Sequence, residues 1–158
     1  MIVHCDMKPQ NILIFDGHCG GLLAKIADFG SSMIGQEEED MHGLPHSGIW
    51  SAPEYHHRKI SIAAAKKMDA YSFSLTCLWL LLDEPHGAID GGSSTTVLRQ
   101  MKESCDFLAK AHDLVTSLDL ENEASQRLWC LFETTLADDP LKRIIDVQAM
   151  PKFLNPDQ

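Results

Sequence analysis

His4-Cys5-Asp6-Met7-Lys8-Pro9-Gln10-Asn11 is the stretch on which the reading of this chain turns. It sets a carboxylate, an ammonium and an amide within six residues, beside a proline that stiffens the turn. Five residue types in it (His, Asp, Lys, Pro, Asn), each used about once in twenty positions, would coincide by chance roughly once in three million start positions. Asp28-Phe29-Gly30 follows seventeen residues after Asn11. A tripeptide of that kind, taken alone, reads as a turn that ends a strand.

Around this block the hydrophobic pattern predicts the surrounding elements. Ile12 to Phe15 and Leu22 to Ile26 are short apolar runs separated by Asp16-Gly17-His18-Cys19-Gly20-Gly21, which is the pattern of a small β-hairpin. From Gly30 to Pro53 periodicity is lost, and Gly35, Gly43, Pro45, Gly48 and the acidic run Glu37 to Asp40 predict a long polar loop of the functional kind. Asp69 to Leu82 is apolar almost all round, so it reads as a central buried helix. Gly91-Gly92-Ser93-Ser94 predicts a loop and N-cap before a helix from about Thr95 to Cys105. Ala124, Leu128, Leu131, Phe132 and Leu136 recur at helical spacing up to Asp138-Asp139-Pro140, and a short helix is expected after Asp146.

The whole chain has 158 residues, 44% hydrophobic and 23% charged, the composition of an ordinary globular domain. With 13 Lys+Arg against 23 Asp+Glu its net charge is −10, so nucleic acid and anionic membrane surfaces, which both want a basic patch, are not expected partners. The longest apolar run, Cys77 to Leu82, is six residues, far below the ~20 that span a bilayer. The N-terminus does not read as a signal peptide. Five scattered cysteines and no Asn-x-Ser/Thr sequon lead us to expect an intracellular chain, cytoplasmic or nuclear, with reduced thiols. No zinc-type spacing occurs among the eight histidines and five cysteines, so they are not expected to hold a metal.

Taken together, the motifs resemble those of the eukaryotic protein kinases. The family's H-R-D-L-K-P-E-N is similar to His4 to Asn11, its D-F-G to Asp28 to Gly30, and its A-P-E to Ala52-Pro53-Glu54. Asp69-Ala70-Tyr71-Ser72-Phe73-Ser74 resembles D-x-W-S-x-G, and Asp139-Pro140-Leu141-Lys142-Arg143 resembles D-P-x-x-R. The likeness runs from Ile2 to about Phe153, which implies one partial kinase domain over residues 1–154 and a tail over 155–158.

The resemblance implies phosphoryl transfer from ATP to serine or threonine of a protein substrate, with Mg²⁺. On it, Asp6 orients the attacking hydroxyl, Lys8 steadies the transferred phosphate, and Asn11 and Asp28 hold magnesium. Lys8 two places after Asp6 resembles the serine/threonine branch. Ser47 and Trp50 fall on the substrate-facing loop, while His4, Glu54, Asp69 and Arg143 take structural places, Glu54 and Arg143 as a buried ion pair. Kinases of small molecules share an H-x-D and an Asn but lack the A-P-E segment. Cys5 stands where the family has the arginine that pairs with a loop phosphate, which removes that route of regulation.

No Gly-rich phosphate loop and no V-A-I-K lysine strand precede His4. The fold class expected is therefore mainly α: a kinase-like C-terminal lobe with a small β-hairpin near the N-terminus, and the N-terminal lobe absent. Weak ATP binding and a catalytically incomplete chain follow from that expectation. Part of the apolar face of the Asp69 to Leu82 helix is then expected to lie uncovered, a surface for docking or aggregation. The alternative reading is a noncatalytic kinase-like fragment that acts as a binding module.

Overall fold

In a computed structural model that describes residues 2–17, 20–34, 41–43, 47–56, 60–82 and 93–143, the chain is mainly α with a small β-hairpin near its N-terminus. Six short strands come first: β1 (Ile2–Val3), β2 (Ile12–Asp16), β3 (Leu22–Ile26), β4 (Met33–Ile34), β5 (Met41–His42) and β6 (Ile60–Ser61). Four helices follow: α1 (Ile62–Leu82), α2 (Ser94–Lys102), α3 (Phe107–Ser117) and α4 (Asn122–Thr135). Single turns of 3₁₀ helix lie at Pro9–Asn11, Phe29–Ser31, Gly48–Trp50, Pro53–His56 and Pro140–Lys142. Two compact units are formed, Met1–Thr76 and Cys77–Gln158, and the boundary falls within α1.

In the first unit, β2 and β3 pair antiparallel from Ile12↔Ile26 to Asp16↔Leu22, the hairpin that the apolar runs predict. Its turn needs glycine at position 17. The Gly17 N–H donates to the Gly21 carbonyl at 2.7 Å, and a Cβ on Gly17 would sit 3.0 Å from that same oxygen. The segment after Gly30 is not the structureless loop expected. β4 pairs with β1 through Ile2↔Ile34 and Val3↔Met33, and β5 pairs with β6 through Met41↔Ser61 and His42↔Ile60. Two-residue ladders carry no period that a sequence can display, which is why they went unpredicted. The acidic run Glu37 to Asp40 lies outside the described residues.

α1 starts at Ile62, seven residues before the expected Asp69. Ala63-Ala64-Ala65-Lys66-Lys67 are strong helix formers, and the Ser61 hydroxyl accepts the Ala64 N–H at 3.2 Å as a cap. Its apolar face is mostly covered, with Leu80 left 54% exposed. Every residue from Ile62 to Trp79 is buried or half-buried, and Tyr71, Leu75 and Leu78 are at 0% exposure. Large exposed apolar side chains cluster on the hairpin, where Leu13, Ile14, Phe15, Leu22, Leu23 and Ile26 range from 45% to 78% exposed.

In the second unit, Ser93 caps α2 by accepting the Thr96 N–H at 3.3 Å, and α2 ends at Lys102 rather than Cys105. α3 is an element that the sequence reading passed over, although Phe107, Ala111, Leu114 and Val115 are spaced as a helix and are all buried. It packs on α4, where the His112 and Trp129 rings meet edge to face at 4.6 Å. α4 closes before Asp138-Asp139-Pro140 as expected. The helix expected after Asp146 lies outside the described residues. Among the described residues, no helix is long and apolar enough to cross a membrane.

Candidate active site

The segment between β1 and β2 is held at both ends by groups far away in sequence. Asp69, in α1, accepts the His4 N–H on Oδ2 at 2.6 Å and the Cys5 N–H on Oδ1 at 2.8 Å. Two backbone donors on one carboxylate fix the peptide planes, and they hold Cys5 at φ 67°, a left-handed conformation that costs an L side chain roughly 1–2 kcal/mol. Burial pushes the Asp69 carboxyl above its ordinary value, and the two N–H groups only partly offset it. The His4 ring is 5% exposed. Its Nδ1 accepts the Asp6 N–H at 3.3 Å while its Nε2 meets the Ala27 carbonyl at 2.9 Å, a pattern that places the ring proton on Nε2. Phe29 packs edge-on against His4 at 5.1 Å.

That frame delivers Asp6 into a closed set of donors. Its Oδ2 accepts from Lys8 Nζ at 2.7 Å and from Asn11 Nδ2 at 3.0 Å, and its Oδ1 accepts from Ser47 Oγ at 2.5 Å. Burial pushes the Asp6 carboxyl up, but the bonds from Lys8, Ser47 and Asn11 outweigh it and hold the group below its ordinary value. Asp6 is therefore ionised at neutral pH, the state a proton acceptor needs. Asn11 also donates to the Asp6 carbonyl at 2.8 Å, so both bonds of its Nδ2 point at Asp6 and its Oδ1 is turned away from it. An amide oxygen presented in this way is a hard donor of the type magnesium takes.

Asp28 is brought near by the backbone rather than by its side chain. The Ala27 N–H donates to the Asn11 carbonyl at 2.8 Å, which ties the end of β3 to the end of the Pro9–Asn11 turn. Asp28 itself is exposed and left-handed at φ 60°, and its carboxylate accepts the Gly30 N–H at 3.3 Å. Asp6 and Asn11 are buried, and Asp28 is at the surface. Among the described residues no group of three His, Cys, Asp or Glu side chains gathers as a metal site.

Of the two residues assigned to the substrate-facing loop, only Ser47 reaches the carboxylate. Trp50 is 6% exposed and belongs to the core, with its carbonyl accepting from Ser72 Oγ at 2.7 Å. Glu54 lies in the first unit and Arg143 in the second. Arg143 is 2% exposed and donates from Nε to the Ala137 carbonyl at 2.7 Å. The Ala27 carbonyl and the Ser32 hydroxyl, which donates to the His4 carbonyl at 3.3 Å, also hold the loop. Sequence reasoning missed both, because a backbone acceptor has no residue-type signature and a lone serine has no pattern.

Cys5 lines a cleft with Ser47, Tyr55, Met68, Asp69 and Ser72. Burial, and then the Asp69 carboxylate, push its thiol up to about 12, and burial alone does the same to Cys77. Cys105 is exposed. Iodoacetamide at mildly alkaline pH is thus expected to label Cys105 well before Cys5 or Cys77, read by peptide mass mapping. Labelling of Cys5 at the same rate as Cys105 would contradict the closed environment of this loop.

Comparison with known proteins gives the family. The family model for the protein kinase domain matches residues 1–152. The G-type lectin S-receptor-like serine/threonine-protein kinase LECRK2 of Oryza sativa subsp. japonica is 30% identical over 143 residues, covering 84% of this chain and 17% of the relative. The G-type lectin S-receptor-like serine/threonine-protein kinase SD2-5 of Arabidopsis thaliana is 26% identical over 166 aligned positions, covering 92% of this chain and 18% of the relative. The chain thus spans under a fifth of the length of these curated relatives. With the motif order, the mainly α fold and the family match in agreement, the chain belongs to the protein kinase domain family.

Proposed function

We propose that this chain is the C-terminal lobe of an ATP-dependent kinase that phosphorylates serine or threonine in a protein substrate. Asp6 supports this reading most directly: a buried carboxylate held below its ordinary pKa beside an ammonium, in the family's base position. In the proposed reaction Asp6 orients the acceptor hydroxyl and takes its proton, and Lys8 neutralises charge on the phosphoryl group in transit. Asn11 Oδ1 and the Asp28 carboxylate would hold Mg²⁺, whose contribution when bound is to neutralise and align the phosphates of ATP. The Glu54–Arg143 ion pair belongs to the same proposal. Removing one partner of such a buried pair costs roughly 3 to 5 kcal/mol, and a double-mutant cycle without coupling between the two would remove it.

The 158 residues contain no Gly-rich phosphate loop and no lysine strand. Most of the rate enhancement in phosphoryl transfer comes from holding ATP in line and neutralising its charge, so these residues alone are expected to turn over at no useful rate. A radiolabelled ATP assay with a generic serine/threonine peptide tests this on the chain and on a chimera that carries a kinase upper lobe. Turnover in the chimera alone is the expected result. Steady turnover in the bare chain would show that the upper lobe was overvalued.

One observation favours a second reading, a noncatalytic binding module. Six large apolar side chains are exposed on the β2–β3 hairpin, more than a free ribbon ordinarily presents to water. A folded but inactive chimera would favour that role. An intracellular location, cytoplasmic or nuclear, is supported by the four free thiols among the described residues, and cell fractionation tests it.

A further inference from the structure

We infer that the β2–β3 hairpin is a self-association surface, on which a second copy of this chain packs face to face as a two-fold dimer. The pairing register decides which face. Residues directly opposite one another in an antiparallel ladder project to the same side, so Ile14, Leu22 and Ile26 share one face, while Phe15, Leu23 and Lys25 share the other. The second face is blunted by a charge, because Lys25 Nζ lies 5.1 Å from the centre of the Phe15 ring. On the first face the only charge is Asp16, at the turn end. There Ile14, Leu22 and Ile26 are 59%, 78% and 48% exposed. Among the described residues no third strand joins this ribbon, and a lone two-stranded ribbon is marginal in water.

An aliphatic face of this kind is complementary to itself across a two-fold axis, and two ribbons stacked about 10 Å apart share one dry layer. The area suffices. With Ile2, Phe29 and Ile34 of the same unit, the exposed large apolar side chains of the hairpin offer on the order of 900 Å² per copy, against the roughly 800 Å² that each partner of a specific dimer covers. Each copy carries a net charge of −10, and this repulsion opposes growth past the one apolar contact. It also sets the sign of the salt effect. Screening the repulsion strengthens a contact between two like-charged copies, whereas a partner held by charge attraction is released as salt rises. The inference goes beyond the binding-module reading, which names no partner, and it does not depend on the role of Asp6.

The experiment is sedimentation velocity of the 158-residue chain over a dilution series, in low and in high NaCl, on the parent and on one variant of each face. A monomer–dimer equilibrium is expected, with a dissociation constant on the order of 10 µM that tightens several-fold in high salt. Leu22→Glu, at the most exposed position of the first face, is expected to weaken it more than tenfold, and Leu23→Glu on the other face to leave it within about twofold. Hydrogen exchange on the parent needs no variant, and amides of β2 and β3 are expected to slow as concentration rises. A monomer at every concentration, polymers without a dimer, a dimer unmoved by Leu22→Glu, or exchange in the hairpin that does not respond to concentration overturns the inference. Weakening in high salt overturns it in favour of a charge-driven contact. A monomeric chain that takes up a separately produced kinase upper lobe through Leu22 overturns it in favour of that occupant. None of these outcomes bears on Asp6, whose test is the peptide assay with the chimera.

Discussion

Removing the Asp69 carboxylate by Asp69→Ala is expected to lower folding stability by roughly 3 to 5 kcal/mol, since hydrogen bonds to a charged group contribute about 1.5 to 3 kcal/mol each and two are lost. The His4 and Cys5 N–H groups would be left without their acceptor, and the left-handed turn at Cys5 would lose what holds it. Asp69→Asn should cost less, because its amide can accept one of the two N–H groups but turns a donor toward the other. Urea unfolding of the three proteins measures the order. A loss of less than about 1 kcal/mol for the alanine variant would mean that the clamp carries little of the loop's stability.

The same residue has a pH signature. The folded pKa of Asp69 is raised, so its favourable contribution is fully present below the ordinary carboxylate value and is lost as pH rises through the raised value. Asp6 has the opposite sign. Its folded pKa is lowered, so its contribution is present above the ordinary carboxylate value and is lost as pH falls through the lowered one. Stability measured from acid to neutral pH should therefore fall above about pH 4 in the parent chain, and Asp69→Asn should abolish that part of the slope. An unchanged slope in the variant would assign it to another group.

In an active chimera, Asp6→Asn is expected to reduce kcat by a factor of roughly 10² to 10⁴, the usual range for a positioned base. That is about 3 to 5 kcal/mol of transition-state stabilisation. The substitution keeps the shape of the side chain and removes its charge and proton affinity, so the KM for ATP should change little while kcat falls. A fall in ATP affinity with kcat preserved would instead make Asp6 a binding residue. Lys8 gives an internal check, because its ammonium is bonded to the Asp6 carboxylate and loses that partner in the variant.

How much of this was legible in the sequence follows the physical range of each interaction. Asp6, Lys8 and Asn11 lie within six residues of one another, and the helices with caps at Ser93 and stops before Pro140 are set by local backbone preferences, so residue order alone disclosed them. The β2–β3 hairpin is local in the same sense, with a tight turn in which Gly17 lies close to the Gly21 carbonyl. Tertiary structure decided the rest. Asp69 reaches the backbone of His4 and Cys5 from sixty-five and sixty-four residues away, and Ser47 reaches Asp6 from forty-one. Their partners are a peptide N–H or a single oxygen, which leave no periodic trace. The burial of Trp50 and the apolar exposure of the hairpin are likewise results of packing. A hydrophobic pattern states which side chains avoid water, whereas the neighbours that remove them from it are supplied by segments distant in sequence, and only the folded chain brings those together.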